Sequence, residues 1–273
     1  MEAPFTDVLI PLDGSPAAEL ALGPALELVR RTGVPLRVMT ASLPGDDEAL
    51  AGYLADVAEK HAGVTAIETE VVSAEGVAEA ILDDMLPQTL VCMSSHGRGG
   101  LSRAVMGSVA EAVLRSIVDP ALIVGPALAD AAPFAGRVVA CLDGSPESDR
   151  TLGPAQEWAA TLGLPLWLVQ VGEPGAPADW ITHGDVHESG HLASLAARLG
   201  GVEGWDVLHG RDPAHALVDL TTSHAEPTGL LVMATHGRTG WDRLRLGSVT
   251  AATIHEATVP VLVVSAAPKN VRG

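Results

Sequence analysis

The sequence predicts an α/β fold made of two tandem, doubly wound, open parallel sheets, each with five strands and with helices on both faces. The first supporting observation is that the 273-residue chain repeats itself over most of its length. The second is that strand and helix patterns alternate with short connections, as in parallel sheets. The third is that 47% of residues are hydrophobic but only 3% aromatic, so aliphatic side chains must form the core.

The repeat is visible at both ends of each copy. VLIPLDGSPAAELAL near the start matches VVACLDGSPESDRTL, which aligns Asp13 with Asp143, 130 residues later. LVCMSSHGRGGLSRAVMGSV matches LVMATHGRTGWDRLRLGSV, which aligns His96 with His236, 140 residues later. We therefore predict a first domain at residues 1–127, a linker at 128–136 and a second domain at 137–268, because the stretch GPALADAAPFAG at the junction is rich in Ala, Pro and Gly.

The elements of the first copy follow from local patterns. The apolar run Val8–Leu12 predicts the first strand. Ser15 and Pro16 predict the N-cap and first residue of a helix that ends near Gly33. Apolar runs and helical periodicity predict the remaining elements. The strands are Leu36–Thr40, Ala66–Val72, Leu90–Ser94 and Ala121–Val124, and the helices are Asp47–His61, Val77–Met85 and Val109–Ile117.

The formal net charge of −18 disfavours polyanionic partners. We therefore expect no nucleic-acid partner and no binding to an anionic membrane. The sequence shows no basic-then-apolar leader and no apolar run of the ~18 residues that a membrane span needs, so the expected location is cytoplasmic. Cys92 and Cys141 lie in apolar, strand-like runs and are expected to be buried.

Ligands of doubly wound sheets bind beyond the carboxyl ends of the strands. After the fourth strand of each copy, a glycine is followed by nine residues and then by a Gly-Ser pair that opens a helix. Glycines let main-chain amides approach an anion closely, and a helix N-terminus attracts phosphate. These residues are Gly97, Gly107 and Ser108 in the first copy and Gly237, Gly247 and Ser248 in the second. Arg98, Arg103, Arg238, Arg243 and Arg245 add local positive charge.

Asp13 and Asp143 end the first strand of each copy and are expected across the crevice from this loop. A carboxylate there can accept a hydrogen bond from an adenine amino group or a ribose hydroxyl, or can help hold Mg²⁺.

Structural alternatives to a ligand site stay open for these residues. The aspartates can simply start a turn, Ser108 and Glu111 fit a helix capping box, and His96 can be a loop histidine with one hydrogen bond. No G-x-x-x-x-G-K-[ST] motif occurs, which excludes a Walker-type NTPase.

Together these residues resemble the universal stress protein family, twice over and across nearly the whole chain. The ATP-binding members carry G-x2-G-x9-G-[ST] after the fourth strand, an aspartate that ends the first strand, and a backbone contact to adenine after the second. The resemblance implies the strand order 3-2-1-4-5 in each sheet and an ATP site in each copy, with Mg²⁺ as a candidate companion. The implied contact residues are Leu12, Asp13, Gly14, Ala41, Met93, Ser94, Gly97, Arg98, Gly107, Ser108, Val109, Leu142, Asp143, Gly144, Val171, Met233, Ala234, Gly237, Arg238, Gly247, Ser248 and Val249.

The sequence departs from the family motif at one position in each copy. Ser94 and Ala234 stand where the motif has its first glycine. A Cβ there crowds the ribose or the phosphates unless the backbone angles are ordinary. The resemblance further implies that the last strands, Ala121–Val124 and Val261–Val264, pair within the chain as a pseudo-dimer, and that two chains can associate as a homodimer.

Two functions of different class follow. The first is an ATP-binding regulatory protein of the stress response that is not an enzyme, because no water-activating base is evident. The second is a nucleotide-free interaction module of the same fold, with an unknown protein partner. A remote alternative is a zinc hydrolase, because His187-Glu188-x-x-His191 matches HExxH. Gly190 weakens such a helix, and no convincing third ligand follows.

Overall fold

The computed structural model describes residues 3–42, 47–73, 75–97, 106–129, 133–172, 190–210, 212–223, 225–235 and 246–265. Within them the strands are β1 Asp7–Pro11, β2 Leu36–Ser42, β3 Ile67–Ser73, β4 Thr89–Ser94, β5 Ala121–Val124, β6 Arg137–Leu142, β7 Leu166–Gly172, β8 Val202–His209, β9 Thr228–Ala234 and β10 Val261–Val264. The strands of the first copy agree with their predicted ranges to within two residues. Aliphatic runs between turn residues are therefore reliable strand signals in this chain.

The helices in the described ranges are α1 Pro16–Glu19, α2 Leu22–Thr32, α3 Asp47–His61, α4 Val77–Asp84, α5 Ser108–Ser116, α6 Leu152–Leu162, α7 at 190–199, α8 Pro213–Thr222 and α9 Ser248–Glu256, with a 3-10 turn at Ser148–Thr151. The single helix expected from Ser15 to Gly33 is wrong, because α1 and α2 are separate. Pro24 cannot donate a hydrogen bond to Leu20 and clashes with its carbonyl, so the helix restarts just before the proline. None of these helices has both the length and the apolar content that crossing a bilayer requires.

The described strands form one ten-stranded sheet in the order β3-β2-β1-β4-β5-β10-β9-β6-β7-β8. Each half has the expected order 3-2-1-4-5 and is parallel within itself. The two halves are not separate sheets, however, because β5 and β10 pair antiparallel, with Leu122 opposite Leu262. The last strands thus pair within the chain as the resemblance implied. Since the halves run in opposite directions, their carboxyl edges lie at opposite edges of the sheet.

Apolar side chains cover both faces of the sheet. Neighbouring residues alternate between two layers, so Val8 packs with the layer of α1, α2 and α6, whereas Leu9 packs with the layer of α4, α5 and α9. Cys92 and Cys141 lie on opposite faces as free, buried thiols, as expected. Burial raises the pKa of both thiols to about 12, which leaves them unreactive near neutral pH.

The amino ends of the first-half strands are joined by an ion-pair network around the buried Asp7. Arg37 on β2 donates to Asp7 on β1 at 2.9 Å and to Asp84 of α4 at 2.7 Å. The Thr89 hydroxyl donates to Asp7 at 2.7 Å. The second half replaces this arrangement: Arg137 occupies the position of Asp7 and pairs with Glu226 at 2.8 Å. The two copies therefore share a fold but not their polar contacts.

The antiparallel pair of β5 and β10 forms the seam between the two halves. Side chains from both halves pack together beside this seam. The rings of Phe5 and Trp158 lie 5.4 Å apart between centroids. The guanidinium of Arg31 in α2 donates to the carbonyl oxygens of Leu162 at 3.1 Å and Phe134 at 3.4 Å. Two of these side chains, Trp158 and Phe134, are almost fully buried. Burial of such large side chains stabilises the docked arrangement of the halves by several kcal/mol in order of magnitude.

Candidate functional site

The first strand of each half ends in an Asp-Gly turn at the carboxyl edge of the sheet. Asp13 Oδ1 accepts a hydrogen bond from the Ser15 amide at 2.9 Å, and the Ser15 hydroxyl accepts from the Ala18 amide at 3.2 Å. Gly14 has a φ of 78°, a left-handed conformation that glycine adopts without strain. The predicted N-cap at Ser15 is thus confirmed, and one carboxylate oxygen of Asp13 organises the turn.

The second half repeats this turn. Asp143 Oδ1 accepts from the Ser145 amide at 3.0 Å and from the Ser145 hydroxyl at 2.6 Å, and Gly144 has a φ of 77°. Both aspartates therefore have a structural task, as the turn alternative predicted. In both copies the amide of the turn donates to Oδ1 of the aspartate.

The loop after β4 lies against Asp13. A Cβ built on Gly97 would overlap Asp13 Oδ2 and would lie 3.3 Å from its Cγ. The absence of a side chain at Gly97 is what lets the two segments meet. The structure thus brings together the two first-half motifs that the sequence separates by more than 80 residues.

The glycine that precedes each of α5 and α9 closes its loop back onto the sheet. The Gly107 amide donates to the Ser95 carbonyl at 2.8 Å, and the Gly247 amide donates to the Thr235 carbonyl at 2.8 Å. The expectation that these two glycine amides face an anion is therefore wrong, because protein carbonyls already accept from them. Gly107 is needed for close packing instead, since a Cβ there would lie 3.0 Å from the Ser95 oxygen.

The next amides in each helix remain available. Gly107 and Gly247 are the N-caps, with nearly identical backbone angles (φ −59°, ψ 143° and φ −56°, ψ 139°) and no side-chain cap. Ser108 and Ser248 are the first helical residues and are exposed. Within the described residues, no protein group accepts from the first-turn amides of Ser108 or Ser248. The capping-box alternative is wrong, because Ser108 lies inside the helix rather than at its cap.

The other predicted site residues occupy the ends of the central strands. Ser94 and Ala234 are buried last residues of β4 and β9, and neither has a positive φ. The backbone therefore does not require glycine at either position, although a Cβ still takes up space. Leu12, Leu142, Met93 and Met233 are buried, whereas Ala41, Val171, Val109 and Val249 are partly exposed.

Several predicted residues lie outside the described ranges. These are Arg98, Arg103, Gly237, Arg238, Arg243 and Arg245 of the proposed phosphate loops, and His187 and Glu188 of the HExxH motif. His191 is described; its Nε2 is buried and has no hydrogen-bond partner among the described residues. In the described part of the chain, no group of three or more His, Cys, Asp or Glu is placed to hold a metal.

Sequence reasoning missed Gln170 in β7. This side chain is buried, its Oε1 has no hydrogen-bond partner among the described residues, and its Nε2 lies 3.6 Å from a Cβ built on Gly144. It therefore borders the Asp-Gly turn of the second half, next to Val171. The first half has Thr40 at this position. A polar residue within an otherwise apolar strand was the available signal.

Two cavities, of about 630 and about 700 Å³, flank the seam between the halves. The first is lined by Phe5, Asp119, Arg150 and Trp158 among others, and the second includes Phe134. None of the predicted nucleotide contacts that the structure describes lines either cavity. The candidate nucleotide sites lie instead at the two carboxyl edges of the sheet.

A family comparison agrees with this arrangement. The family model described as "Universal stress protein family" matches residues 4–125 and again 135–265. The chain belongs to the universal stress protein family. The two matches cover nearly the whole chain, so this universal stress protein is of the tandem type, as the repeat predicted.

Individual relatives agree. A universal stress protein of Mycolicibacterium smegmatis is 30% identical over 228 residues, which cover 77% of this chain and 72% of the relative. One from Mycobacterium tuberculosis is 34% identical over 194 residues, covering 64% of this chain and 61% of the relative. The crystal structure of a universal stress protein from Archaeoglobus fulgidus superposes with a TM-score of 0.66 at 19% identity, covering 96% of this chain and 97% of that one. The last likeness concerns the fold alone.

Proposed function

We propose that this universal stress protein binds an adenine nucleotide at the carboxyl edge of each half, with ATP as the first candidate and Mg²⁺ as its companion ion. The protein acts as a regulator in the stress response through the bound nucleotide, not as an enzyme. The described groups that we assign to the phosphates are main-chain amides and serine hydroxyls, which bind anions but do not activate water.

The observation that carries this proposal is the repeated helix opening. In both halves a glycine amide is bonded to the carbonyl that follows the fourth strand, and the helix then starts with an exposed serine at that edge. The Ser108 and Ser248 amides, from which no described protein group accepts, and the helix dipole favour a negatively charged group there. The identical geometry in both halves supports two sites of the same kind.

The other end of the nucleotide is assigned to the turn and to the second strand. The carboxylates of Asp13 and Asp143, which hold the turns, are the candidate contacts for a ribose hydroxyl or Mg²⁺. Ala41 and Val171 offer the backbone next to the base. In the second half, the Gln170 amide is a further candidate contact for the adenine amino group, because its Oε1 is a buried acceptor.

A specific observation favours a second candidate, the nucleotide-free interaction module. The amides of Gly107 and Gly247 are engaged by the protein, and Ser94 and Ala234 place a side chain where the family motif has glycine. A protein that had lost its ligand would retain this architecture and use its acidic surface to bind a protein partner.

Mass spectrometry of the natively purified protein separates the two candidates. We expect adenine nucleotide to be carried by the folded chain and released on denaturation. A chain that purifies empty and gives no heat with millimolar Mg-ATP contradicts nucleotide binding and supports the interaction module.

A further inference from the structure

Two histidines from different halves meet beside the seam. His96 follows β4 in the first half, and His255 lies in the last turn of α9 in the second. Their ring centroids are 5.4 Å apart and their planes are inclined by 59°. The approach depends on Gly125, where a built Cβ would overlap the Ile254 carbonyl oxygen. The contact is thus set by the docking of α9 against the end of β5.

Each ring has a buried nitrogen without a partner. His96 Nε2 and His255 Nδ1 are both inaccessible to solvent, and neither has a hydrogen-bond partner among the described residues. Buried polar atoms in folded proteins almost always have a partner, so an unpartnered one needs a specific explanation. Two such nitrogens on neighbouring rings from different halves suggest a shared explanation.

The other nitrogen of His96 is already held. Its Nδ1 lies 2.9 Å from the Ser95 hydroxyl, and Ser95 is itself buried. When the hydroxyl accepts from Nδ1–H, the lone pair of the ring is on Nε2. Histidines that bind metals are usually oriented in this way, by a hydrogen bond from the nitrogen that does not bind the ion.

The separation of the rings suits a shared ion. Zn²⁺ lies about 2.0–2.1 Å from an imidazole nitrogen in tetrahedral sites, so two coordinated rings have centroids about 5 Å apart. From this geometry we infer that His96 and His255 form a binding site for a borderline divalent metal ion, with Zn²⁺ as the first candidate. Water completes the coordination, because the described residues provide no group of three ligands.

The site has no twin in the other half. The residue of α5 that corresponds to His255 is Arg115, as Ser108 corresponds to Ser248. A guanidinium remains protonated and does not ligate metals. The inference is therefore one ion per chain, located at the carboxyl edge of the first half only. It does not depend on nucleotide binding.

The test is equilibrium dialysis of the full chain against Zn²⁺, after treatment with EDTA and in the absence of nucleotide. We expect one tightly held ion per chain. His96→Gln and His255→Gln should each weaken its binding by at least about tenfold, because each removes a ligand. Zn²⁺ should also raise the midpoint of thermal unfolding of the wild type but not of either variant.

Two control variants deal with adventitious binding. His215 is exposed and lies 3.3 Å from Asp212 and 3.7 Å from Glu256, so His215→Gln removes a competing surface site. His187→Gln removes the HExxH motif. Both variants should retain the tightly held ion.

The inference is overturned if wild-type protein holds no stoichiometric Zn²⁺, or if only one of the two substitutions at the seam has an effect. Unfolding of each variant in EDTA shows whether it is folded. His96→Asn and His255→Asn replace any glutamine variant that is not. The electron paramagnetic resonance spectrum of Cu²⁺ bound to the wild type should show superhyperfine splitting from two nitrogen ligands. A spectrum that shows fewer nitrogen ligands also rejects the site.

Discussion

At the scale of single residues, the first site depends on the absence of a side chain. Gly97 lies directly against the carboxylate of Asp13, and Asp13 in turn fixes the Ser15 amide. The sequence predicted both residues as site residues from their motifs. It could not predict their contact, because that contact arises only when β1 and β4 become neighbours in the sheet.

We expect Gly97→Ala to lower the free energy of unfolding by about 1–3 kcal/mol, because the new methyl group forces the Asp13 carboxylate out of its turn. Urea unfolding of both proteins measures the difference. Gly52→Ala in α3 is the matched control, since no atom lies within 4 Å of its added methyl group. Its free energy of unfolding should rise by about 0.5–1 kcal/mol, because alanine is the better helix former. Equal stability of the two variants would refute the contact.

Part of the pH dependence of stability should come from Glu27. Its hydrogen bonds from Arg30 lower the pKa of its carboxyl group from 4.5 to about 2, with a further contribution from Arg31. The folded state thus favours the charged carboxylate, which stabilises the fold above pH 4.5. That contribution is lost as the pH falls from 4.5 towards 2. Glu27→Gln should therefore cost stability at pH 7, and its difference from the wild type should shrink in acid; a constant difference between pH 7 and 3 would contradict the assignment.

At the scale of elements, most strands and helices of the first half were predicted from the sequence, but the break between α1 and α2 was missed. Helix α3 spans the predicted Asp47–His61, because its apolar periodicity and flanking residues agree. The separation of α1 from α2 was missed, although Pro24 was a visible signal. The Arg37 network was also missed, because its members lie on three elements and share no local pattern.

Arg37 connects β1, β2 and α4, so its removal is predicted to be costly. Arg37→Met leaves the buried Asp7 carboxylate without a counterion and should lower the free energy of unfolding by about 3–5 kcal/mol. The exposed Arg198 is the control, and Arg198→Met should change the free energy of unfolding by less than about 0.5 kcal/mol. Adding Asp7→Asn to Arg37→Met should recover part of the loss. If the double variant is less stable than the single one, the buried charge is not the cause.

At the scale of the whole molecule, the seam makes one sheet from two repeats. The strands β5 and β10 are fully apolar and nearly inaccessible to solvent, and each would be an exposed edge without the other. The sequence indicated this pairing only through the family resemblance, because strand pairing across a linker has no local signal. Since the halves run in opposite directions, α9 begins at the proposed second nucleotide site and ends beside the first.

The predicted first domain, residues 1–127, should therefore not remain a monomer when it is produced alone. Its β5 edge can pair antiparallel with a second copy, because Leu122 already lies opposite its equivalent Leu262 in the full chain. Light scattering after size exclusion should give twice the monomer mass. A soluble monomer would show that the seam is not required to cover this edge.

Calorimetry with Mg-ATP tests whether the first turns of α5 and α9 bind nucleotide phosphate. Ser108→Asp and Ser248→Asp place a carboxylate at each helix N-terminus, which suits the helix dipole but repels phosphate. We predict two sites per chain, the loss of one with each substitution and of both in the double variant, with the folded state retained. Ala55→Asp, which adds the same charge on exposed α3, should bind like the wild type. Undiminished binding by the double variant would contradict the account.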